Sequence, residues 1–228
     1  ASDNSMDDTY GASEKDVARL KEKTGIDYVG VTLLEDRDRR SGYGLELISI
    51  ENARGNNHSV YYTQSIYGFY PASQQFFQSM NFSLIGKIPE ADNEIVITQY
   101  IFDQINLCGI ALFAENINDG FVTEMVARTL LPDSSRTAQS LIEQELFISF
   151  ANNYFKIVGV VDTREDSAGK YESLKPSKSG SSNTQLLLEA ECVDYFRYGY
   201  HSIGYISQDR YDSIVKSYSA ELEGWDAF

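Results

Sequence analysis

The stretch from Ile85 to Ile105 constrains the fold of this chain more than any other part of the sequence. Gly86 and Pro89 interrupt any preceding element, and a polar turn follows them. The next run, at positions 95–97, is short and β-branched, as expected of a buried strand. Thr98 then occupies a helix N-cap position, and apolar residues recur behind it at helical spacing, at Ile101, Phe102 and Ile105. The stretch predicts a turn, a buried strand and a helix, and contains no obvious catalyst.

The rest of the chain mixes strand and helix patterns, which predicts an α+β fold. Helices are expected at 13–23, 73–80 and 208–220, and strands at 27–34, 45–50, 59–64, 185–190 and 202–207. In the second helix Phe76, Phe77 and Met80 should face the core, and in the last helix the apolar face should be Tyr211, Ile214, Val215 and Tyr218.

The middle of the chain is harder to interpret. Residues 145–151 and 154–162 frame Asn152-Asn153 and predict a β-hairpin, in which Gly159 marks a bulge or a close backbone approach. Residues 109–120 are apolar and then turn-like, and periodicity does not decide between strand and helix for 121–128. Loops are expected at 130–137 and 163–183.

Composition excludes some functions. The chain has 228 residues, with 34 acidic against 19 basic side chains and a net charge of -15. Such a charge repels nucleic acids and anionic lipid surfaces. The one basic cluster, Arg37 to Arg40, is flanked by Glu35 and Asp36 and is interpreted as a solvated turn. No window is apolar enough to span a membrane, and the chain opens with neither a start Met nor a signal peptide. We therefore expect either a truncated cytosolic protein or a piece cut from a chain whose targeting lies elsewhere.

Residues with catalytic or ligand-binding chemistry are sparse. The two histidines, His58 and His201, lack metal-ligand neighbours at the usual spacing, and surface or satisfied histidines are the simpler interpretation. Cys108 and Cys192 could form a disulfide in an oxidising compartment or remain two buried thiols. No nucleophile elbow, phosphate loop or EF-hand occurs. We therefore predict no catalytic, cofactor-binding or metal residue and no cofactor.

Three weaker signals remain open. Asp162 with Glu165 or Asp166 is an acidic pair, more simply a solvated face than an acid/base couple. Asn57-His58-Ser59 and Asn81-Phe82-Ser83 match the glycosylation sequon, as triplets often do by chance. Tyrosines in two clusters suit either the core or a peptide- or glycan-binding surface: Tyr61, Tyr62, Tyr67 and Tyr70, and Tyr195, Tyr198, Tyr200 and Tyr205.

Two segments together resemble a known family. Residues 86–97, Gly-Lys-Ile-Pro-Glu-Ala-Asp-Asn-Glu-Ile-Val-Ile, precede a predicted helix, and some fifty residues later comes 155–162, Phe-Lys-Ile-Val-Gly-Val-Val-Asp. This order is similar to that in the extracytoplasmic domain of MacB/FtsX-like ABC transporter permeases, especially the Gram-positive type. The late strand 203–207 and its following helix also look like that family's closing elements. The resemblance covers about Asp27 to Ser219, although residues 109–128 and 163–183 depart from it.

The resemblance implies a two-lobed domain. Residues 1–80 and 163–228 would build a porter-like mixed lobe from both chain ends, and 81–162 a smaller inserted β-rich lobe. It also implies a non-enzymatic domain on the extracytoplasmic face of the cell membrane, excised from an integral membrane protein. Its partners would be the parent membrane helices and a separate ATP-binding subunit, with a second permease or a substrate-binding protein as further possibilities. A free secreted glycan- or peptide-binding module is the alternative, and a hydrolase is a third, which requires a cleft with convergent carboxylates.

Overall fold

The computed structural model describes residues 18–19, 22–23, 43–44, 48, 65–66, 68–118, 121–150, 153–164 and 200–225. The chain divides into two compact units, Ala1–Val31 and Thr32–Phe228. In the first unit the described residues 18–19 and 22–23 are helical, within the helix expected at 13–23. The strands expected at 27–34, 59–64 and 185–190 lie outside the described residues, as does most of 45–50.

The second unit is built on one mixed sheet of eight strands. In sheet order these are β3 (Gly68–Pro71), β10 (Ile203–Ile206), β5 (Glu94–Thr98), β9 (Asn153–Asp162), β8 (Phe147–Phe150), β6 (Ile110–Asn118) and β7 (Phe121–Leu130), and β4 (Ser83–Gly86) also pairs with β9. The parallel neighbours are β3 with β10 and β5 with β9. A two-residue pair, β1 (Tyr43–Gly44) with β2 (Ser65–Ile66), is separate from this sheet.

Helices accompany the sheet: α1 (Gln74–Ser79), α2 (Gln99–Cys108), α3 (Ala138–Ile142) and α4 (Gln208–Trp225), with a 3-10 turn at Tyr200–Ser202. The α+β class is thus confirmed, whereas the two-lobed arrangement stays a prediction. No helix among the described residues combines the length and the apolar character needed to cross a bilayer.

The central strand β5 is buried on both faces. Ile95 and Ile97 join an apolar cluster with residues of α2, α3 and α4, whereas Val96 joins a second cluster with α1. A strand covered on both faces reads as a continuous β-branched run, which is why 95–97 was predictable as buried. All three side chains are fully buried, and each contributes roughly 1.5–3 kcal/mol by leaving water.

The turn before β5 is held by the side chain of Glu94. Its carboxylate forms an ion pair with Lys87, with 2.7 Å between Nζ and Oε1. It also accepts hydrogen bonds from the backbone N–H groups of Glu90 and Ala91, at 2.8 and 3.2 Å. Desolvation opposes ionisation, but these contacts prevail and lower the pKa of Glu94. One carboxylate therefore closes the turn that joins β4 to β5.

Helix α2 begins as predicted. Thr98 accepts a hydrogen bond from the Ile101 backbone N–H at 3.2 Å, and Gly109 ends the helix at a positive φ of 72°. The predicted apolar face is buried. The helices predicted at 73–80 and 208–220 also form, as α1 and α4, with Ser73 as the N-cap of α1. Met80 is a correction: it follows the last turn of α1 and is exposed, because the short helix ends before it can turn toward the core.

The predicted hairpin is β8 with β9, and its register places Phe150 opposite Asn153. Asn153 is therefore a strand residue rather than part of the turn. The pairing of β9 with β5 shifts register between Ile95 and Val96, so β9 carries the bulge predicted near Gly159. A Cβ at Gly159 would lie 3.1 Å from the backbone oxygen of Ile85, which also confirms the close backbone approach.

The region that the sequence left undecided is a long antiparallel hairpin. Residues 110–118 form β6 and residues 121–130 form β7. The turn-like character expected at Asn116 and Asn118 is wrong, because both residues pair with β7. Residues 119–120 lie outside the described residues.

Candidate functional site

The hairpin of β6 and β7 stands apart from the body of the sheet along much of its length. The two strands pair from Ile110 with Leu130 to Asn118 with Phe121. On its other edge β6 is registered with β8 only at Phe113 opposite Phe147. Beyond Phe113 the hairpin is thus a two-stranded ribbon within the part of the chain that the structure describes.

The end of this ribbon is apolar and exposed to solvent. Phe121 is 76 % exposed, Ile117 60 % and Val122 54 %. Ile117 and Val122 are direct cross-strand partners, so their side chains lie on the same face of the ribbon. Phe121 precedes Val122 in the strand and therefore lies on the other face. Exposed apolar side chains gathered at one end of a ribbon are typical of an interaction surface. We call Ile117, Phe121 and Val122 the hairpin tip.

Carboxylates flank the hairpin tip. Glu115 and Glu124 are both exposed on the ribbon. Asn116 lies across the ribbon from Glu124 and donates from Nδ2 to Glu124 Oε1 at 3.0 Å. The tip therefore offers apolar side chains within an acidic surrounding, which fits a partner whose surface is apolar with basic residues around it.

A second feature is a buried polar cluster at one end of the central strands β5, β9 and β10. Because β5 and β9 are parallel, their carboxyl ends meet there, together with the amino end of β10. The Thr98 hydroxyl donates to the backbone carbonyl of His201, and Thr163 Oγ1 lies 3.4 Å from His201 Nδ1. All three side chains are buried. These contacts tie the start of α2 and the residue after β9 to the 3-10 turn that carries His201.

The third feature is an open cleft of about 570 Å³ beside α2. Asp103 and Asp133 both contribute to its lining. Partial burial raises the pKa of Asp103, the hydrogen bond from Gln99 opposes this, and the nearby charge of Asp162 adds to it. Hydrogen bonds from Ser135 lower the pKa of Asp133. The hydrolase alternative requires a cleft with convergent carboxylates, and two carboxyl groups line this cleft.

The carboxylate of Asp133 nevertheless has a clear local role. It accepts from the Ser135 backbone N–H at 2.9 Å and from Ser135 Oγ at 2.6 Å. Its own backbone N–H donates to the Asn106 carbonyl at 2.9 Å, and Arg136 Nη1 donates to Asn106 Oδ1 at 3.1 Å. These bonds attach the loop after β7 to α2 and shape the cleft.

The residues singled out from the sequence do not converge on one site. His58, Cys192, Glu165 and Asp166 lie outside the described residues, and with them the predicted disulfide and the acidic pair. Cys108 is buried at the end of α2, and Asp162 is exposed and accepts from the Arg164 backbone N–H at 2.9 Å. Asn81 of one sequon is exposed, whereas Asn57 lies outside the described residues.

The tyrosine clusters are split in the same way. Tyr70 and Tyr205 are buried and pack with Phe76 in the core cluster beside α1. Tyr200 is half-buried, and the remaining tyrosines of both clusters lie outside the described residues. For Tyr70 and Tyr205 core packing is thus the correct interpretation.

Sequence reasoning missed the hairpin tip. A usable signal was present, because Asp119-Gly120 is a dipeptide typical of two-residue hairpin turns and apolar residues stand on both sides of it. The cleft had no comparable signal, since α2 and the loop at 131–137 are far apart in sequence. Within the described residues no group of three or more His, Cys, Asp or Glu side chains could hold a metal ion.

Comparison of the chain with protein-family models, with curated proteins and with solved structures finds no match.

Proposed function

We propose that this chain is a non-enzymatic extracytoplasmic domain of an ABC transporter permease. It would couple the ATP-driven motion of the parent membrane helices to the handling of a substrate or partner protein outside the membrane. ATP hydrolysis would take place on a separate ATP-binding subunit, and a second permease or a substrate-binding protein would be the further partner. The proposal starts from the resemblance of residues 86–97 and 155–162 to the MacB/FtsX-like permeases.

The observation that carries the proposal is the adjacency of these two segments. They form β5 and β9, neighbouring parallel strands at the centre of the sheet, with five registered residue pairs from Glu94 with Lys156 to Thr98 with Val161. The end of β4, at Gly86, is paired with Gly159 on the other edge of β9. Two motifs separated by more than fifty residues thus build one packed unit, as expected if they are parts of a single family signature.

The residues of the signature do structural work. Glu94 closes the turn through Lys87, and Gly86 and Gly159 allow β4, β9 and β5 to approach closely. A rigid centre of this kind suits a domain that transmits motion as one body. Partner handling would then fall to exposed parts, and the hairpin tip is the apolar surface best placed for it.

The gene that encodes the chain gives the first test. We expect a hydrophobic helix encoded shortly before Ala1 and further ones soon after Phe228. A gene with a cleavable signal peptide and no such helices would refute the proposal and support the secreted module.

The intact transporter in membranes gives the second test. Replacing the hairpin tip with serine (I117S, F121S and V122S together) should abolish the transport response while the basal ATPase rate stays unchanged. Leu131→Ser is the matched control, because Leu131 is 65 % exposed but lies beyond the opposite end of β7. Transport that survives in the tip variant would contradict the assignment of the tip.

The cleft supports a second candidate, a hydrolase that uses Asp103 as a general acid. The specific observation in favour is that Asp103 and Asp133 both line the cleft, where partial burial raises the pKa of Asp103. Ester and glycoside substrates should then be hydrolysed by the wild-type chain and not by Asp103→Asn. Equal background rates for both proteins would remove this candidate.

A further inference from the structure

Strand β7 forms one edge of the sheet. It is ten residues long, pairs with β6 along one side, and has no strand from the described part of the chain along the other. Such an edge presents a row of backbone N–H and C=O groups that can pair with another strand. Proline, which blunts many natural edges, does not occur in β7. Its charged residues are Glu124 and Arg128, both exposed.

Glu124 and Arg128 lie on the same face of β7 because they are four residues apart. Four residues of extended chain span roughly 13 Å, so the two side chains are too distant to form an ion pair with each other. Asn116 holds the Glu124 carboxylate in place on this face. The edge therefore carries one fixed negative and one positive charge on either side of Val126.

This arrangement is complementary to itself. When two identical strands pair antiparallel about a twofold axis, the numbers of opposing residues add to a constant. An axis through Val126 places Glu124 of each copy opposite Arg128 of the other, which gives two cross-strand pairs of opposite charge. Shifting the strands by one or two residues in either direction removes both pairs.

We propose that two copies of this chain associate through their β7 strands, in the antiparallel register centred on Val126, to form one continuous sheet. Backbone hydrogen bonds would supply the attraction, and the two Glu124–Arg128 pairs would select this register over the alternatives. This inference rests on the edge of the sheet alone. It holds or fails independently of the proposed role in a transporter, since it requires neither membrane helices nor an ATP-binding subunit.

A charge-swap experiment on the whole 228-residue chain tests the proposal. Sedimentation equilibrium over a concentration series should show a monomer–dimer equilibrium for the wild type. E124R and R128E each place like charges opposite one another twice, and each should weaken the dimer on the order of tenfold. The double variant E124R/R128E exchanges the charges and should restore the wild-type dissociation constant.

Asn116→Ala provides the matched control. E124R also removes the hydrogen bond from Asn116, and N116A removes the same bond while it keeps the charge of Glu124. N116A should dimerise like the wild type. A wild-type chain that remains monomeric at its highest soluble concentration would overturn the proposal, whether or not some other strand pairs with the edge of β7. So would a double variant that dimerises as weakly as the single ones.

Cross-linking tests the register separately. Val126→Cys lies on the proposed axis, where opposing Cβ atoms are about 4.5–5.5 Å apart, so oxidation should give a disulfide-linked dimer. In the control Thr129→Cys the two thiols would be six residues apart along the strands, roughly 20 Å, and should not link. Equal cross-linking at both positions, or linking at Thr129 alone, would refute the register.

Discussion

Substitution of Gly86 by alanine is the sharpest test of how the stretch from Ile85 to Ile105 builds the sheet. Gly86 ends β4 with a φ of 99°, a left-handed conformation that costs a residue with a Cβ about 1–2 kcal/mol. The added Cβ would lie 2.3 Å from the carbonyl oxygen of Val158 and 2.8 Å from Gly159 Cα. Both are backbone atoms, so no side-chain rotation relieves the contact.

The carbonyl of Val158 is also fixed from another direction, since it accepts the Lys87 backbone N–H at 3.1 Å. Relief therefore requires β4 and β9 to separate, which we place at about 1–3 kcal/mol by analogy with overpacked cores. Together the two costs amount to about 2–5 kcal/mol. For a domain of this size a loss of 3 kcal/mol lowers the Tm by about 6–12 °C.

Gly204→Ala is the matched control. Gly204 lies in β10, also at the centre of the sheet, and its nearest contact would be Ile95 Cδ1 at 2.8 Å. That atom is the end of a flexible side chain, so a cost of about 1 kcal/mol is expected. Urea unfolding followed by far-UV circular dichroism gives both values from the midpoints, provided the slopes agree. If G86A costs no more than G204A, the reasoning from φ and backbone contacts is wrong.

Three further predictions concern the packing and titration of single side chains. The nearest contact of a Cβ in Gly159→Ala is Val96 Cγ2. Adding Val96→Ala should therefore recover about 1 kcal/mol of unfolding free energy relative to the sum of the two single changes, as measured by urea unfolding of all four proteins. Strict additivity of the two changes would contradict this. The raised pKa of Asp103 means that its ionisation destabilises the fold as pH rises above about 4. Asp103→Asn should therefore raise the Tm at pH 7, by only about 1 °C because solvent screens this partly exposed carboxylate, and leave it unchanged at pH 3. Burial raises the pKa of Tyr211 to about 12, so the wild type should lose stability between pH 10 and 12, and a Tyr211→Phe variant that loses as much would refute this.

The sequence was most informative where local and long-range signals agree. At 95–108 the β-branched run, the N-cap at Thr98 and the helical spacing all specify one arrangement, and burial on both faces of the sheet enforces it. The bulge near Gly159 was also predictable, because a glycine inside a strand has few other reasons to occur.

The hairpin of β6 and β7 was not predictable by the same means. Period-2 alternation appears when one face of a strand is buried and the other is solvated. Toward the hairpin tip Glu115, Asn116, Ile117 and Val122 are all exposed, so burial imposes no alternation there. Where burial does not select residues, hydrophobic periodicity carries little information about the strand.

The cleft and the sheet edge were unpredictable for another reason. Asp103 and Asp133 line one cleft only because the loop after β7 is hydrogen-bonded to α2 through Asn106. The edge character of β7 depends on the order of all the strands in the sheet. Both features depend on residues that are far apart in the sequence, so composition and hydrophobic periodicity do not predict them.

The residues that hold the central strands together differ from those proposed to contact a partner. Gly86, Glu94 and Gly159 act on the contacts among β4, β5 and β9, so changes there should reduce stability and every activity together. The hairpin tip has few packing constraints, because its side chains are exposed. Its substitution should leave stability nearly unchanged and alter only what the domain contacts. The transporter experiment with I117S, F121S and V122S distinguishes the two effects.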